Sequence, residues 1–220
     1  MARRTKEDAE VTRHRLLDAA EQVFHARGVS GASLADVAKE ASLTRGAIYW
    51  HFKDKLALFD AMMQRAILPI EQVLTATSRR GCSPVERVLA CLDLLFRTIE
   101  NDARMRKVFE IAVLKVEHVG ELAAVQQRWV SGAERLTALL EQDLALAFSE
   151  RKQAAAVTPA SAARGLQALF DGMLYAWMLR QGGFPLEEQG MMHVRLYLHG
   201  LGLLSMEKMS AASREIQKME

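Results

Sequence analysis

Helix-start signals recur along this chain and constrain its fold more than any other feature. A hydroxyl or carboxylate just before a helix can accept hydrogen bonds from the first free backbone amides. Apolar residues between these signals recur at three- and four-residue spacing, and we find no alternating strand pattern. The sequence therefore predicts an all-α protein. The signals lie at Ser33 with Asp36, Thr44, Asp54, Ser83–Pro84 and Thr158–Pro159.

The composition supports the same prediction. Only four prolines occur in 220 residues, and β-branched runs are scarce beside abundant Ala, Leu, Met, Glu and Arg, which favours helix nearly everywhere. Two short helices are joined by a tight turn at Ser42–Leu43, the pattern of a helix-turn-helix unit. Pro69 should kink or divide the fourth helix. We expect about nine helices, over residues 11–27, 34–41, 45–52, 55–77, 84–99, 104–115, 120–148, 160–179 and 186–206.

The segment Thr44–Phe52 contains three aromatic rings, a histidine and an arginine within one short predicted helix. A buried structural helix rarely needs so many side chains with polar ends, whereas a helix laid against DNA uses them on phosphates and base edges. Ile48 and Phe52 form the buried stripe, and Arg45, Tyr49 and Trp50 lie off it. The alternative, a core helix of a bundle that does not bind DNA, would expose rings without purpose.

Each residue near this helix is given a specific role. Arg45 is assigned to a base edge or phosphate, and Trp50 to the sugar-phosphate backbone or a base. Lys55, at a helix start, is expected to hold a phosphate with nearby amides. Ser33 could touch a phosphate, although its capping role alone would explain it. The predicted DNA contacts are Ser33, Thr44, Arg45, Gly46, Ala47, Tyr49, Trp50, His51 and Lys55.

Charge and motifs limit the other function classes. The net charge is +2, and all of this excess lies in residues 1–55, with ten Lys/Arg against eight Asp/Glu. Neither a signal-peptide core nor a membrane-spanning run is found, and two cysteines favour reduced thiols in a cytoplasm. Gly-x-Ser-x-Gly, phosphate-loop and Cys-x-x-Cys motifs are missing. We expect no catalytic residue, metal site or cofactor.

Many Met and aromatic residues beyond residue 55 share helices with isolated polar groups, notably Glu110 and Asp171. Such linings suit varied apolar ligands, although plain core packing would explain most positions. For Asp171, a hydrogen bond between helices is as good an explanation as a contact with a ligand. The predicted ligand-binding residues are Met63, Leu92, Phe96, Phe109, Glu110, Val113, Trp129, Leu166, Phe170, Asp171, Met173 and Trp177.

Several stretches together resemble one family of regulators. They are Arg3–Glu7, Leu17–Ala20, Ser33–Ala38, Thr44–Phe52, Lys115–Leu122 and Asp171–Gly172. The chain resembles TetR-family transcriptional regulators, and most of all the AcrR and TtgR group that represses multidrug efflux operons. Ser42 departs from the group, which usually has glycine in that turn, and this would cost stability if the residue needs a positive φ.

The resemblance implies a division of labour along the chain. Residues 1–55 would bind DNA, with the helix-turn-helix at about 33–52, and residues 56–220 would bind an effector and dimerise through the last two long helices. The implied function is a cytoplasmic homodimeric repressor that an apolar or amphipathic small molecule releases from a pseudo-palindromic operator. Two alternatives stay open: a small-molecule-binding or partner-docking helical protein with a non-functional DNA head, and a TetR-type regulator of a metabolic operon.

Overall fold

The computed structural model describes residues 6–77, 82–116, 123–151 and 156–205, without the side chains of 68–77 and 123–129. Within these ranges the chain forms nine helices and no strand, which confirms the all-α prediction. The helices are α1 Lys6–Arg27, α2 Leu34–Glu40, α3 Arg45–His51, α4 Lys55–Thr77, α5 Pro84–Asn101, α6 Ala103–Leu114, α7 Ala123–Ser149, α8 Pro159–Leu179 and α9 Leu186–Gly200.

The predicted helix starts are confirmed by their hydrogen bonds. The Ser33 hydroxyl accepts from the Asp36 amide at 3.1 Å, and the Asp36 carboxylate accepts from the Ser33 amide at 3.0 Å. The same reciprocal arrangement joins Ser83 and Glu86 at the start of α5. Side chains of Thr44, Asp54 and Thr158 accept from the amides of Ala47, Ala57 and Ser161. Local sequence therefore decides where these helices begin.

Two predicted boundaries differ from the structure by five or six residues, and the other boundaries agree within three residues. Helix α1 begins at Lys6, earlier than the predicted residue 11. Helix α4 runs unbroken from Lys55 through Pro69 to Thr77, so Pro69 does not divide it, and a kink at Pro69 stays a prediction. Losing a single backbone donor does not interrupt that helix. Helix α9 ends at Gly200, not at residue 206, which lies outside the described residues. Gly202 has φ 68°, and the Leu203 amide donates back to the Leu198 carbonyl at 2.9 Å, a glycine-ended cap.

The turn between α2 and α3 requires a left-handed residue, and that residue is Ser42 with φ 54°. Its amide donates to the Lys39 carbonyl at 3.0 Å, and the Leu43 amide donates to the Ala38 carbonyl at 2.8 Å. These two bonds define a Schellman motif, in which glycine is the usual residue at the left-handed position. A serine at this position costs stability if the residue needs a positive φ, and Ser42 does have a positive φ.

Contacts divide the chain into two compact units. The first unit comprises Met1–Pro69 and Asp102–Ser131, and the second comprises Ile70–Asn101 and Gly132–Glu220. The predicted boundary at residue 55 separates DNA binding from effector binding and dimerisation. The division into compact units does not test that prediction.

The first unit buries one face of each of the helices α1, α2 and α3. Leu17 and Phe24 of α1 and Ile48 of α3 are fully buried, and the rings of Phe24 and Phe59 lie 6.4 Å apart. Helix α1 packs against both α2 and α6. The core therefore holds the two short helices of the turn unit on a long helical support.

The second unit is built on α5, α8 and α9. Helix α5 packs along α9, and α8 packs on α9 as well. Gly190 of α9 allows a close approach, because a Cβ there would lie 2.7 Å from the Phe96 ring. Both carboxylate oxygens of Glu100 accept from the amides of Leu186 and Glu187, which caps α9 from a distant helix.

Candidate nucleic-acid interface and ligand site

Helix α3 has one buried side and one exposed side. Ile48 is fully buried and Phe52 nearly so, whereas Tyr49 and Trp50 are 50% and 72% exposed. Arg45 and Gly46 are exposed as well, and Ala47 is half-buried. The half-buried His51 ring meets the Trp50 ring edge-on, with centroids 4.5 Å apart. The structure thus gathers arginine, tyrosine and tryptophan side chains on the solvent face of a short, capped helix.

Helix α1 supports this helix pair with two arginines. One guanidinium nitrogen of Arg15 donates to the Ala41 carbonyl at 2.8 Å, directly before the left-handed residue. The Arg13 guanidinium lies 5.4 Å from the centroid of the Phe52 ring, where α3 ends. A cation over a ring face is attracted by its quadrupole. Both short helices are therefore fastened to α1 at their carboxyl ends.

Several predicted DNA contacts, Ser33, Thr44 and Lys55 among them, already have hydrogen-bond partners within the protein. The Ser33 hydroxyl donates to the Asp36 carboxylate at 2.6 Å, and this bond lowers the pKa of Asp36. The Lys55 ammonium donates to the carbonyls of Ser30 and Ala32, at 3.2 and 3.0 Å. The DNA-contact assignments of Ser33 and Lys55 stay predictions, and each side chain has a structural role besides.

A buried carboxylate on α1 joins two other helices of the first unit. Glu21 is only 5% exposed, and it accepts from Arg65 of α4 at 2.6 Å and Arg104 of α6 at 2.9 Å. Asp18, one turn earlier, lies 2.8 Å from the same Arg65 guanidinium. A buried charge needs such pairing. Sequence reasoning missed this cluster, because the three side chains are far apart along the chain.

Seven predicted ligand residues lie in the second unit. The rings of Phe96 and Phe170 are 5.1 Å apart. Leu92, Leu166 and Trp177 are buried, and the Trp177 indole N–H donates to the Phe184 carbonyl at 2.9 Å. Met173 and Asp171 are half-buried.

Asp171 has a neighbour that the sequence analysis did not single out. Gln167, one turn earlier on α8, donates through its amide nitrogen to the Asp171 carboxylate at 2.8 Å. Burial raises the pKa of Asp171. Among the residues that the structure describes, the buried Gln167 carbonyl oxygen has no hydrogen-bond partner. A polar residue one helical turn from Asp171 was the available signal.

The other predicted ligand residues lie in the first unit. Met63 and Phe109 are buried, and Val113 is half-buried. The Glu110 carboxylate lies 2.8 Å from a ring nitrogen of His25 on α1. Trp129 belongs to α7, and its side chain lies outside the described residues. No finding tests the predicted ligand contacts, so they stay predictions.

Three further features of the described residues concern membranes, metals and thiols. Within the described ranges, no helix is long and apolar enough to cross a membrane. Over the same part of the chain, no three His, Cys, Asp or Glu side chains gather as a metal site would need. Burial raises the pKa of the Cys91 thiol to about 12, so this group stays protonated at neutral pH.

Profiles of two protein families match most of the chain. The profile described as bacterial regulatory proteins, tetR family, matches residues 16–62. The profile described as MAATS-type transcriptional repressor, C-terminal region, matches residues 83–203. The first match contains the turn unit and α3, and the second contains α5 to α9.

Several similar proteins are repressors by name or by the description of their crystal structures. The repressor BepR of Brucella suis biovar 1 (strain 1330) is 36% identical over 189 residues, covering 84% of this chain and 88% of BepR. The crystal structure of NalD, the secondary repressor of the MexAB-OprM multidrug efflux pump in Pseudomonas aeruginosa, is 29% identical with a TM-score of 0.78, covering 88% and 98% of the two chains.

The complex of SmeT with triclosan is 30% identical with a TM-score of 0.77, covering 89% of this chain and 95% of the SmeT chain. SmeT is the repressor of the multidrug efflux pump SmeDEF of Stenotrophomonas maltophilia.

Proposed function

This chain belongs to the TetR family of bacterial regulatory proteins, and we propose that it is a ligand-responsive repressor of a multidrug efflux operon. Residues 1–55 bind a pseudo-palindromic operator, and residues 56–220 bind the effector and dimerise. Support for the efflux target comes from relatives, since NalD and SmeT repress multidrug efflux pumps.

The exposed face of α3 carries the DNA-binding part of the proposal. An arginine can read a guanine edge through two hydrogen bonds, and tyrosine and tryptophan offer rigid contact area with polar ends. Arg45, Tyr49 and Trp50 supply these groups from a helix whose other side is fixed by Ile48 and Phe52. In helix-turn-helix proteins the second helix of the turn unit enters the major groove, and α3 is the second helix of the unit in this chain.

Two acceptor groups on α8 support the effector part: the unpaired Gln167 carbonyl oxygen, and the Asp171 carboxylate that accepts from the Gln167 amide nitrogen. The Gln167 carbonyl oxygen offers an acceptor, and the Asp171 carboxylate adds a second one beside the apolar Phe170. An amphipathic molecule with a hydroxyl or amine donor suits this arrangement, because apolar area supplies affinity and a few polar groups fix orientation. SmeT, a similar protein, has been solved in complex with the small molecule triclosan.

Exposed apolar stripes on α8 and α9 support dimerisation. Tyr175 and Leu179 of α8 and Met192 and Leu196 of α9 are about half exposed, at four-residue spacing within each helix. Apolar stripes on exposed helices mark interaction sites. A twofold dimer would cover both stripes with their copies, and it would contain two copies of α3, one for each half-site of an operator.

Operator binding with matched arginine variants tests the proposal. The duplex upstream of the gene and a random duplex are titrated at several salt concentrations. Arg45→Ala should weaken operator binding by about 10- to 100-fold and random binding by less, because a base contact carries sequence information. Arg97→Ala on α5, which removes another exposed arginine, should change neither. A native protein without sequence preference or salt dependence would refute the repressor function.

A further inference from the structure

The turn between α2 and α3 is held from outside by Arg15 of α1. A guanidinium nitrogen of Arg15 donates to the Ala41 carbonyl at 2.8 Å, across 26 residues of sequence. The last carbonyls of a helix have no partner within that helix. Ala41 is buried, so water is a poor replacement for this donor. Arg15 therefore supplies the donor that the end of α2 needs, and its positive charge suits the carboxyl end of a helix.

The bonded carbonyl belongs to the peptide group that joins Ala41 to the left-handed Ser42. The Ser42 N–H, the other polar end of that group, donates to the Lys39 carbonyl at 3.0 Å. Because a peptide group is planar, its rotation changes ψ of Ala41 and φ of Ser42 together. Hydrogen bonds at both ends of the group oppose this rotation. Arg15 thus helps to keep Ser42 at φ 54°.

Ser42 needs this support because it has a Cβ. In the left-handed conformation a Cβ is crowded against the backbone, so a residue other than glycine favours negative φ when nothing holds it. A change of φ at Ser42 would open the turn and alter the direction in which the chain enters Thr44, the cap of α3. Glycine adopts positive φ without this cost and would depend less on an outside donor.

We propose that Arg15 is a positioning residue for DNA recognition: its bond to the Ala41 carbonyl compensates for the missing glycine in the turn and so fixes the direction of α3 relative to α2. This inference rests on the proposed DNA-binding function. A protein whose binding-competent turn is only partly populated loses affinity in proportion to that population. The loss is greatest on the operator, where base contacts need α3 in register, and smaller on random DNA, where phosphate contacts supply the affinity.

Rescue by a second substitution tests this role in the full-length protein. Operator and random duplexes are titrated with Arg15→Met, with Ser42→Gly and with the double variant. Arg15→Met should lose about three- to tenfold in operator affinity and less on random DNA. The double variant should recover the native operator preference, because glycine holds the turn without the arginine. Lys39→Met, the matched control, removes a positive charge from the last turn of α2 and should keep the native preference.

An arginine that acts only by contacting a phosphate gives a different result. Arg15→Met would then lose equally on both duplexes, and the slope of log K against log salt would fall by about 0.9 per bound protomer. Ser42→Gly would restore nothing in that case. Either this result or native operator affinity in Arg15→Met would overturn the proposal.

Amide hydrogen exchange tests the turn without DNA. The Ser42 and Leu43 amides close the turn on the carbonyls of Lys39 and Ala38. Both amides should exchange faster in Arg15→Met, and the double variant should return to the rate of Ser42→Gly alone. Unchanged exchange in Arg15→Met would overturn the proposal. If thermal unfolding shows that Arg15→Met is misfolded, Arg15→Gln replaces it in both experiments.

The two proposals fail in different ways. If the native protein shows no operator preference, the proposed function fails, whereas the exchange measurement still decides whether Arg15 holds the turn.

Discussion

Replacing Ser42 by glycine should stabilise this protein. Ser42 holds the left-handed position of the α2–α3 turn at φ 54°, and its side chain is exposed. Its Cβ is crowded against the backbone in that conformation, and glycine has no Cβ. Both hydrogen bonds of the turn come from backbone amides, at Ser42 and Leu43. The substitution therefore removes strain and leaves these bonds in place.

The expected gain is the difference between two opposing effects. Relief of a left-handed non-glycine residue is worth about 1–2 kcal/mol. Glycine also gains freedom in the unfolded chain, which costs about 0.5–1 kcal/mol. The net gain is about 0.5–1 kcal/mol, which corresponds to a rise in Tm of about 2 °C for a chain of this size.

Urea and thermal unfolding of three variants measure this gain. Ser42→Gly should unfold at higher urea and temperature than the native protein. Ser42→Ala keeps a Cβ and should show no gain. Lys39→Gly, in the last turn of α2, should lose about 1 kcal/mol, as glycine does inside a helix. If Ser42→Gly is no more stable than Ser42→Ala, backbone strain at this turn is not the reason that glycine is favoured there.

Two further predictions concern α8 and α9. Burial raises the pKa of Asp171 above its usual 3.8, so the folded state binds this proton more tightly than the unfolded state, and native stability falls as pH rises through the folded pKa. Asp171→Asn should therefore be the more stable protein in unfolding at pH 7.5, with the gap narrowing toward pH 4, and a less stable variant at pH 7.5 would contradict this. Leu196→Glu should yield monomers in sedimentation equilibrium, whereas Leu139→Glu, at an equally exposed leucine of α7, should not; a persistent Leu196→Glu dimer would move the interface elsewhere.

Local sequence determined the helices of this protein. A cap needs only a side chain and an amide about three residues away, so the starts at Ser33, Thr44 and Thr158 could be predicted from neighbouring residues. The turn was predictable for the same reason, and glycine in related chains indicated the left-handed position that Ser42 occupies. The missed end of α9 had a local signal too, in Gly202.

The division of α3 into two faces also followed from the sequence. A helical period of 3.6 residues places Ile48 and Phe52 on one side, and the structure buries both. The same period sets Tyr49 and Trp50 on the other side, where they are exposed. Which of these side chains touch DNA stays a prediction.

Tertiary structure decided the partners of the polar side chains. Lys55 reaches back 25 residues to the Ser30 carbonyl, Arg15 reaches forward 26 to Ala41, and Arg104 meets Glu21 across 83 residues. No periodicity or motif records such distances, because these bonds exist only once helices have packed. The sequence therefore determined which groups α3 exposes, and the packing of α1, α4 and α6 decided what holds α3 in place.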